Sequence, residues 1–207
     1  MKVLILGGDG MLGPWVVEAL EGHCDLRVTD LSAIDTPHES MVVAVADFDQ
    51  VMAAAEGMDA IVNCSVLRSD GKIAFDVNTL GTYNAVRAAV EHGMSRFINT
   101  GPHFTVAGSV YYDFDYGISE EVPAHPGTGL YALTKATGQE VCRLFSENHP
   151  IHILCLLFLN FKPPAPEPED AILDRPMSKF KKQAGRHLPP RVYSSTIFEA
   201  FLRHVDF

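Results

Sequence analysis

The chain has no hydrophobic run long enough to cross a membrane and no excess of basic residues. Hydrophobic residues make up 47% of its 207 residues and charged residues 20%, as in an ordinary globular protein. No apolar stretch approaches the roughly 20 residues that a membrane span needs. The first 160 residues hold 8 Lys and Arg against 20 Asp and Glu, and residues 161–207 hold 8 against 6. This acidic body cannot neutralise phosphates, so we expect neither a nucleic-acid nor a membrane partner.

Cysteine and histidine also lack the spacings that build metal or redox sites. The chain has four cysteines without a CxxC pair, and its nine histidines show no HxxxH spacing. We therefore predict no metal, free thiols and a reducing, cytoplasmic location. The cysteines are Cys24, Cys64, Cys142 and Cys155.

Short apolar runs alternate along the chain with segments of helical periodicity. This alternation predicts an α/β fold, a Rossmann-like doubly wound parallel sheet with helices on both faces. The apolar strands are typical of a sheet that is buried on both faces. Strands are predicted at 3–6, 26–29, 42–45, 60–62, 96–99 and 151–158, and helices at 12–20, 48–55, 75–91 and 130–147.

A glycine-rich turn separates the first strand from the first helix. Gly7, Gly10 and Gly13 form a GxxGxxG pattern that suits a tight turn, close approach of a pyrophosphate and close helix contact. Met11 and Leu12 lie where the helix begins, and unpaired amides at a helix start attract phosphate. The pattern predicts a dinucleotide site, and the alternative is a tight turn without a ligand.

The end of the second predicted strand carries an acidic residue. Asp30 follows Gly13 by 17 residues, close to the expected spacing of about 20. A carboxylate there binds ribose hydroxyls and repels a 2′-phosphate, which favours NAD over NADP as cofactor. The alternative is that Asp30 only caps a turn.

Four further groups of residues carry a family resemblance that runs from Met1 to about Pro164. They are the pair Asp47 and Phe48, the triplet Asn63, Cys64 and Ser65, the residue Asn78, and the YxxxK motif of Tyr131 and Lys135. With the glycine loop, they resemble the extended short-chain dehydrogenases/reductases, the NAD-dependent epimerase/dehydratase family.

The resemblance implies roles for these residues. Asp47 and Phe48 would lie near the adenine, the triplet would back the ribose on the nicotinamide side, and Asn78 would support the site. It also implies a homodimer through helices at about 76–92 and 130–148 and a small-molecule substrate, a sugar or nucleotide sugar. Six small residues on these helices suit close helix approach, namely Ala85, Ala88, Ala89, Ala132, Ala136 and Gly138.

The YxxxK spacing places Tyr131 and Lys135 on one face of a helix. The resemblance implies that Lys135 lowers the pKa of the Tyr131 phenol from its usual value near 10. Tyr131 would then accept a proton from a substrate hydroxyl as hydride passes to the nicotinamide. Lys135 would also bind the nicotinamide ribose, and the alternative is that both residues are structural.

Two departures from the family pattern follow. Gly101 or Pro102 occupies the place of the family's serine, and neither side chain can donate a hydrogen bond. We expect Thr100 or His103 to act as the surrogate donor, with Thr105 as a further candidate, unless these are only loop residues. A histidine at this place resembles uronate dehydrogenases of the same family. The arginine often found in the sixth strand is replaced by Leu157.

The chain changes character after the sixth predicted strand. We predict an NAD-binding domain at 1–162 and, at 163–207, a proline-rich linker with a partial or reduced substrate lobe, including a strand and helix after 192. The chain would then be a fragment or a reduced protein. Two functions remain open: an NAD-dependent oxidoreductase, epimerase or dehydratase, and a weakly active or inactive NAD-binding module.

Overall fold

The computed structural model describes residues 1–68, 71–107, 124–127 and 129–158. All of them belong to the first of two units into which the chain divides, Met1–Phe161. The second domain predicted at 163–207 lies outside the described residues, so the domain boundary stays a prediction. Within the described part, no helix combines the length and the apolar character that crossing a membrane requires.

Six parallel strands form one sheet in the order β3-β2-β1-β4-β5-β6. The chain order reverses between β1 and β4, and ligands of such sheets bind at the carboxyl ends of the strands beside this reversal. The predicted doubly wound α/β fold is thus confirmed. The strands are β1 (Lys2–Leu6), β2 (Asp25–Asp30), β3 (Glu39–Val42), β4 (Ala60–Asn63), β5 (Arg96–Pro102) and β6 (His152–Phe158).

The helices connect these strands, and one segment differs from the predicted single helix at 75–91. There, α3 and α4 are joined by a π-helical turn, Asp76–Leu80, a feature that often marks functional sites. A short helix at Phe104–Ala107 was not predicted. The helices are α1 (Gly13–Leu20), α2 (Phe48–Ala55), α3 (Gly71–Phe75), α4 (Gly81–Glu91), α5 (Phe104–Ala107) and α6 (Leu130–Asn148).

Strand β3 ends where the sequence predicted that it would begin. The apolar run at 42–45 suggested a strand, yet β3 is Glu39–Val42. Val43 and Val45 are buried in the core beyond the strand's end, and the amide of Val43 still donates to Asp30 O at 2.8 Å. Hydrophobicity therefore marked the part of this segment that packs on the core, while the paired edge strand is largely exposed.

Small residues let the helices pack closely inside the chain itself. Ala85, Ala88 and Ala89 of α4 are fully buried in the core. A Cβ atom added at Gly138 would lie 2.7 Å from the carbonyl oxygen of Asn78. Ala132 and Ala136 are buried as well. The six small residues thus serve packing within this chain, and they no longer support the predicted dimer, which needs a different surface.

Candidate functional site

The loop after β1 turns tightly at the carboxyl edge of the sheet. Gly7 has a positive φ of 78°, a conformation that glycine adopts without the penalty other residues incur. The amides of Gly7 and Gly8 both donate to the carbonyl oxygen of Thr29, at 2.9 and 2.8 Å. These bonds fix the loop against the end of β2.

Two further glycines give the loop its shape. A Cβ atom added at Gly13 would overlap the carbonyl oxygens of Gly7 and Gly8, so glycine is needed for α1 to begin this close to the loop. At Gly10, an added Cβ would meet Gly7 O at 3.3 Å and no other described atom within 4 Å. The loop therefore presents bare backbone at Gly10, where a ligand can approach closely.

The start of α1 has no side chain that satisfies its amides. Leu12 is the N-cap residue and makes no side-chain cap, and the first turn has no acidic residue. The backbone amides of Met11 and Leu12 have no hydrogen-bond partner in the described part of the chain. A helix start with unpaired amides is a favourable place for phosphate oxygens, so the residues here fit the pyrophosphate of a dinucleotide.

The Asp30 carboxylate lies beside this loop at the end of β2. Its Oδ2 accepts from the amide of Asp9 at 3.0 Å, and its Oδ1 accepts from the amide of Leu31 at 2.7 Å. The side chain is partly exposed, and each carboxylate oxygen can accept a second bond. The position of Asp30 suits a ribose with free hydroxyls. The same two bonds also show that Asp30 caps the turn after β2.

Asp47 and Phe48 have structural contacts of their own. Asp47 caps α2, because its Oδ1 accepts from the Gln50 amide at 3.2 Å and its Oδ2 from Gln50 Nε2 at 2.8 Å. The guanidinium carbon of Arg87 lies 4.3 Å from the ring centre of Phe48. The predicted contact of Asp47 and Phe48 with the adenine stays a prediction.

Asn63 organises a buried polar cluster at the end of β4. Its Nδ2 donates to Thr82 Oγ1 at 3.2 Å and to Asn99 Oδ1 at 3.0 Å. Its Oδ1 accepts from both the amide and the hydroxyl of Ser65. Burial raises the pKa of the Cys64 thiol to about 12, so this thiol stays protonated. The cluster shapes the backbone here, and the predicted role of the triplet beside the ribose is untested.

Asn78, in the π-helical turn, ties the loop after β4 to α6. Its Oδ1 accepts from the amide of Leu67 at 3.0 Å, and its Nδ2 donates to Leu67 O at 2.6 Å. The same Nδ2 donates to Thr134 Oγ1 at 2.9 Å. Asn78 is fully buried. It therefore holds the backbone of the loop that follows Ser65, and its implied role in supporting a cofactor site stays a prediction.

Lys135 is a buried cation held by two backbone carbonyls. Its side chain is 1% exposed, and Nζ donates to Ser65 O at 2.8 Å and to Thr100 O at 3.0 Å. Burial lowers the pKa of Lys135 to about 8, since neither partner carries a charge. The ammonium thus bridges the carboxyl ends of β4 and β5.

Tyr131 lies beside a cation that no motif in the sequence indicated. The guanidinium carbon of Arg68 lies 5.2 Å from the centre of the Tyr131 ring. Burial raises the pKa of the Tyr131 phenol, and the positive charge that partly opposes this rise belongs to Arg68. Lys135 is not among the charges that lower the pKa of Tyr131 in this structure, and the predicted chemistry of the Tyr131–Lys135 pair stays a prediction.

The surrogate donors expected at the end of β5 use their hydrogens inside the chain. The Thr100 hydroxyl donates to Asn63 O at 2.9 Å, and the Thr105 hydroxyl donates to Pro102 O at 3.0 Å. Each hydroxyl has a single hydrogen. In this conformation both hydroxyl hydrogens are used within the chain, and the expected donor role of Thr100 stays a prediction.

A backbone carbonyl sets the tautomer of His103. Its Nδ1 lies 3.2 Å from Phe158 O, and a carbonyl can only accept, so Nδ1 carries the hydrogen. Burial lowers the pKa of His103, which favours the neutral ring. In that form Nε2 has no hydrogen, so the predicted donor role requires a protonated His103.

The serine place of the family is lined by a side chain from α6. A Cβ atom added at Gly101 would lie 3.0 Å from Gln139 Nε2 and 3.5 Å from Leu157 Cδ2. Gln139 Nε2 donates to Thr105 Oγ1 at 2.9 Å. Gln139 continues the four-residue spacing of Tyr131 and Lys135, which was the available signal for it. Arg68 follows no spacing, and its only signal was a positive charge in an acidic region.

No group of three or more His, Cys, Asp or Glu side chains that could hold a metal ion occurs among the described residues. The polar groups described at the strand ends include amides, hydroxyls, the Asp30 carboxylate, the His103 ring and the Lys135 ammonium. Backbone amides at a glycine loop, with a carboxylate beside them and a tyrosine and lysine at the other end, suit a dinucleotide and a proton acceptor.

A family model described as the NAD dependent epimerase/dehydratase family matches residues 3–195. Two curated relatives are uronate dehydrogenases. The one from Pseudomonas syringae pv. tomato is 26% identical over 163 residues, 75% of this chain and 58% of the relative. The one from Agrobacterium fabrum is 31% identical over 150 residues, 70% of this chain and 55% of the relative.

Among solved structures, a short-chain dehydrogenase/reductase superfamily protein from Agrobacterium tumefaciens with bound NAD is similar, with a TM-score of 0.67 and 26% identity. The match covers 76% of this chain and 49% of that protein. The chain therefore spans little more than half the length of the curated relatives it matches.

Proposed function

Because the chain belongs to the NAD-dependent epimerase/dehydratase family, we propose that it binds NAD and takes part in the oxidation of a sugar hydroxyl. The single observation that carries the proposal is the start of α1, where the Met11 and Leu12 amides are unpaired beside the bare backbone of Gly10. The Asp30 carboxylate next to this loop favours NAD over NADP.

The chain's own residues would divide the work as follows. The glycine loop and α1 would hold the pyrophosphate, and Asp30 would accept from ribose hydroxyls. NAD, when bound, supplies the acceptor for a hydride. Tyr131 would accept the proton of the substrate hydroxyl. Lys135, fixed by Ser65 O and Thr100 O, would place a positive charge and donors beside the reacting end of the cleft.

Among sugars, we propose a sugar acid as substrate. Both curated relatives described above are uronate dehydrogenases, and a histidine stands directly after the Gly101-Pro102 pair. A nucleotide sugar is the other member of the predicted substrate class. Nothing in the described residues favours it in the same way.

A second candidate function, an NAD-binding module with little or no turnover, is favoured by one specific observation. The hydroxyls of Thr100 and Thr105 donate inside the chain, and the place of the family's serine is a glycine or proline. Without a donor to the substrate oxygen, oxidation would be slow, since one such donor is worth about 100- to 1000-fold in turnover.

The homodimer also remains a proposal, now on a different surface. Six large apolar side chains on α3, the π-helical turn, α4 and α6 are exposed, and Tyr83 and Phe145 join α4 to α6 with ring centres 5.8 Å apart. Light scattering at several protein concentrations tests it, and a monomer at every concentration would contradict it. The side chains are Ile73, Phe75, Leu80, Tyr83, Leu133 and Leu144.

Calorimetric titration of the chain with NAD and with NADP tests the cofactor proposal. We expect NAD to bind and NADP to bind more weakly, and equal or tighter NADP binding would contradict the role of Asp30. NADH formation with glucuronate, glucose and UDP-glucose then tests the reaction. Binding of NAD without turnover of any sugar would favour the module over the enzyme.

A further inference from the structure

Arg68 lies in the cleft between the phosphate loop and Tyr131. Its guanidinium carbon is 5.2 Å from the centre of the Tyr131 ring, within the range of a cation–π contact. Its Nη1 is 3.8 Å from the sulfur of Met11. The side chain is exposed, so a ligand entering the cleft can reach it.

This guanidinium has no acidic partner in the described part of the chain. Other arginines do: Arg27 pairs with Glu39 at 2.8 Å, Arg87 with Glu91 at 2.7 Å, and Arg143 with two glutamates. The described contacts of the guanidinium are the sulfur of Met11, a weak acceptor, and the Tyr131 side chain.

On the opposite wall of the cleft, the described strand β6 has no lysine or arginine, and its last four residues, Cys155, Leu156, Leu157 and Phe158, carry no basic side chain. Lys135 is buried, and its Nζ is held by Ser65 O and Thr100 O. Among the described residues near Tyr131, Arg68 is therefore the exposed positive group.

We propose that Arg68 is a specificity-determining residue that binds the carboxylate of a sugar-acid substrate while the substrate's hydroxyl faces Tyr131. The inference rests on the proposed function and names the group that selects the acid. A guanidinium matches a carboxylate with two parallel hydrogen bonds.

An oxyanion on Arg68 has two possible sources, the carboxylate of the substrate and the pyrophosphate of NAD. Met11 belongs to the phosphate loop, so its contact with Arg68 keeps the second source within reach. The two sources predict different effects of substituting Arg68. If Arg68 binds the substrate carboxylate, the substitution weakens the reaction with sugar acids but not with neutral sugars. If Arg68 binds the pyrophosphate, the substitution lowers the affinity for NAD even when no sugar is present.

The test compares the wild-type chain with Arg68→Gln and Arg68→Lys. NAD affinity is measured by calorimetry, and NADH formation is measured with glucuronate and glucose, which differ by a carboxylate in place of a hydroxymethyl group. We expect Arg68→Gln to raise KM for glucuronate about 10- to 100-fold relative to KM for glucose, the value of a charged hydrogen bond. Arg68→Lys should recover part of this loss, and NAD affinity should stay nearly unchanged.

The ratio of the two sugars separates recognition from other effects of Arg68. Removing this charge also raises the pKa of Tyr131. A higher pKa would slow the oxidation of both sugars equally and shift the pH dependence of both reactions to higher pH. An unchanged glucuronate-to-glucose ratio in Arg68→Gln would overturn the proposal, and so would a matching loss of NAD affinity. If the wild-type chain bound NAD but oxidised neither sugar, the proposed reaction would fail instead, and glucuronate binding to the NAD complex by calorimetry would still test Arg68.

Discussion

The two ends of the cleft differ in how far the chain satisfies its own hydrogen-bonding groups. At the β1–α1 end, the amides of Met11 and Leu12 are left without partners in the described structure, and Gly10 is bare. At the β5–α6 end, the Thr100 hydroxyl and the Lys135 ammonium are bound to backbone carbonyls. The first, open end can therefore accept an outside ligand at its backbone, whereas these two groups of the second, closed end are already bound within the chain.

The difference teaches that cofactor binding and turnover are separable properties of this chain. Unpaired backbone donors cost stability unless water or a ligand satisfies them, so the β1–α1 end is best explained by a ligand. At the β5–α6 end, the Thr100 hydroxyl and two of the Lys135 donors need no ligand to satisfy them. Substitutions at the two ends should therefore change different measured quantities, and the predictions below use this contrast.

The largest effect is expected at the closed end. Tyr131→Phe removes the group that accepts the substrate proton, and we expect kcat to fall about 1000-fold. NAD affinity should be nearly unchanged, because the ring and its contact with Arg68 remain. NADH formation and calorimetry on the same preparation check both parts. Full activity of the variant on a verified substrate would show that another group takes the proton.

At the open end, Gly10→Ala should weaken NAD binding without unfolding the protein. The added Cβ meets only Gly7 O at 3.3 Å among the described atoms, but it occupies the face that a pyrophosphate would approach. Displacing the ligand by a methyl group costs about 1–3 kcal/mol, or about 5- to 150-fold in Kd.

Gly71→Ala is the matched control for this experiment. An added Cβ there meets no described atom within 4 Å, and the residue lies at the start of α3. Calorimetry with NAD and urea unfolding should show a loss of affinity in Gly10→Ala alone, with similar stabilities for both variants. Unchanged NAD affinity in Gly10→Ala would mean that the ligand does not approach this loop.

The sequence could predict features that depend on nearby residues, but not those that depend on contacts between distant segments. Strand alternation and the glycine spacing depend on neighbours within a few residues, and they placed β1, α1 and Asp30 correctly. The predicted helix at 75–91 could not reveal the π-helical turn, because the Asn78 contacts to Leu67 and Thr134 join distant segments. The edge strand β3 was shifted because its buried neighbours Val43 and Val45 dominated the hydrophobic signal.

The spacing of residues in the sequence could not predict the contacts that side chains make at the closed end. YxxxK predicted that Tyr131 and Lys135 share a face of α6, but not that Lys135 would bond to Ser65 O, 70 positions earlier in the chain. Nor could the sequence show that Thr100 donates to Asn63 O on the neighbouring strand. The sequence could not indicate Arg68 for the same reason, because Arg68 lies near Tyr131 only in the folded chain, where the segment after β4 meets α6.

A smaller effect, and a gain, is expected from Gly101→Ser. The new Cβ would lie 3.0 Å from Gln139 Nε2, so the flexible Gln139 amide must shift by a few tenths of an ångström. The hydroxyl would restore a donor at the closed end, and we expect kcat to rise about 10-fold, below the 100- to 1000-fold value of an ideally placed donor. Gly101→Ala, which adds the Cβ alone, is the control and should show no gain.

The smallest effect concerns stability rather than catalysis, and it tests whether Lys135 is held as the structure has it. Burial lowers the pKa of Lys135 to about 8 from its ordinary value of 10.5. Between these two values the unfolded chain binds this proton and the folded chain does not, so the free energy of unfolding should rise with pH. The slope for one proton approaches about 1.4 kcal/mol per pH unit.

Lys135→Met should lose this contribution, so urea unfolding of both proteins between about pH 8 and about pH 10 isolates it from the other groups that titrate there. A parallel pH dependence of the two proteins would show that Lys135 keeps an ordinary pKa, and hence that its ammonium reaches solvent or a carboxylate instead of the carbonyls of Ser65 and Thr100.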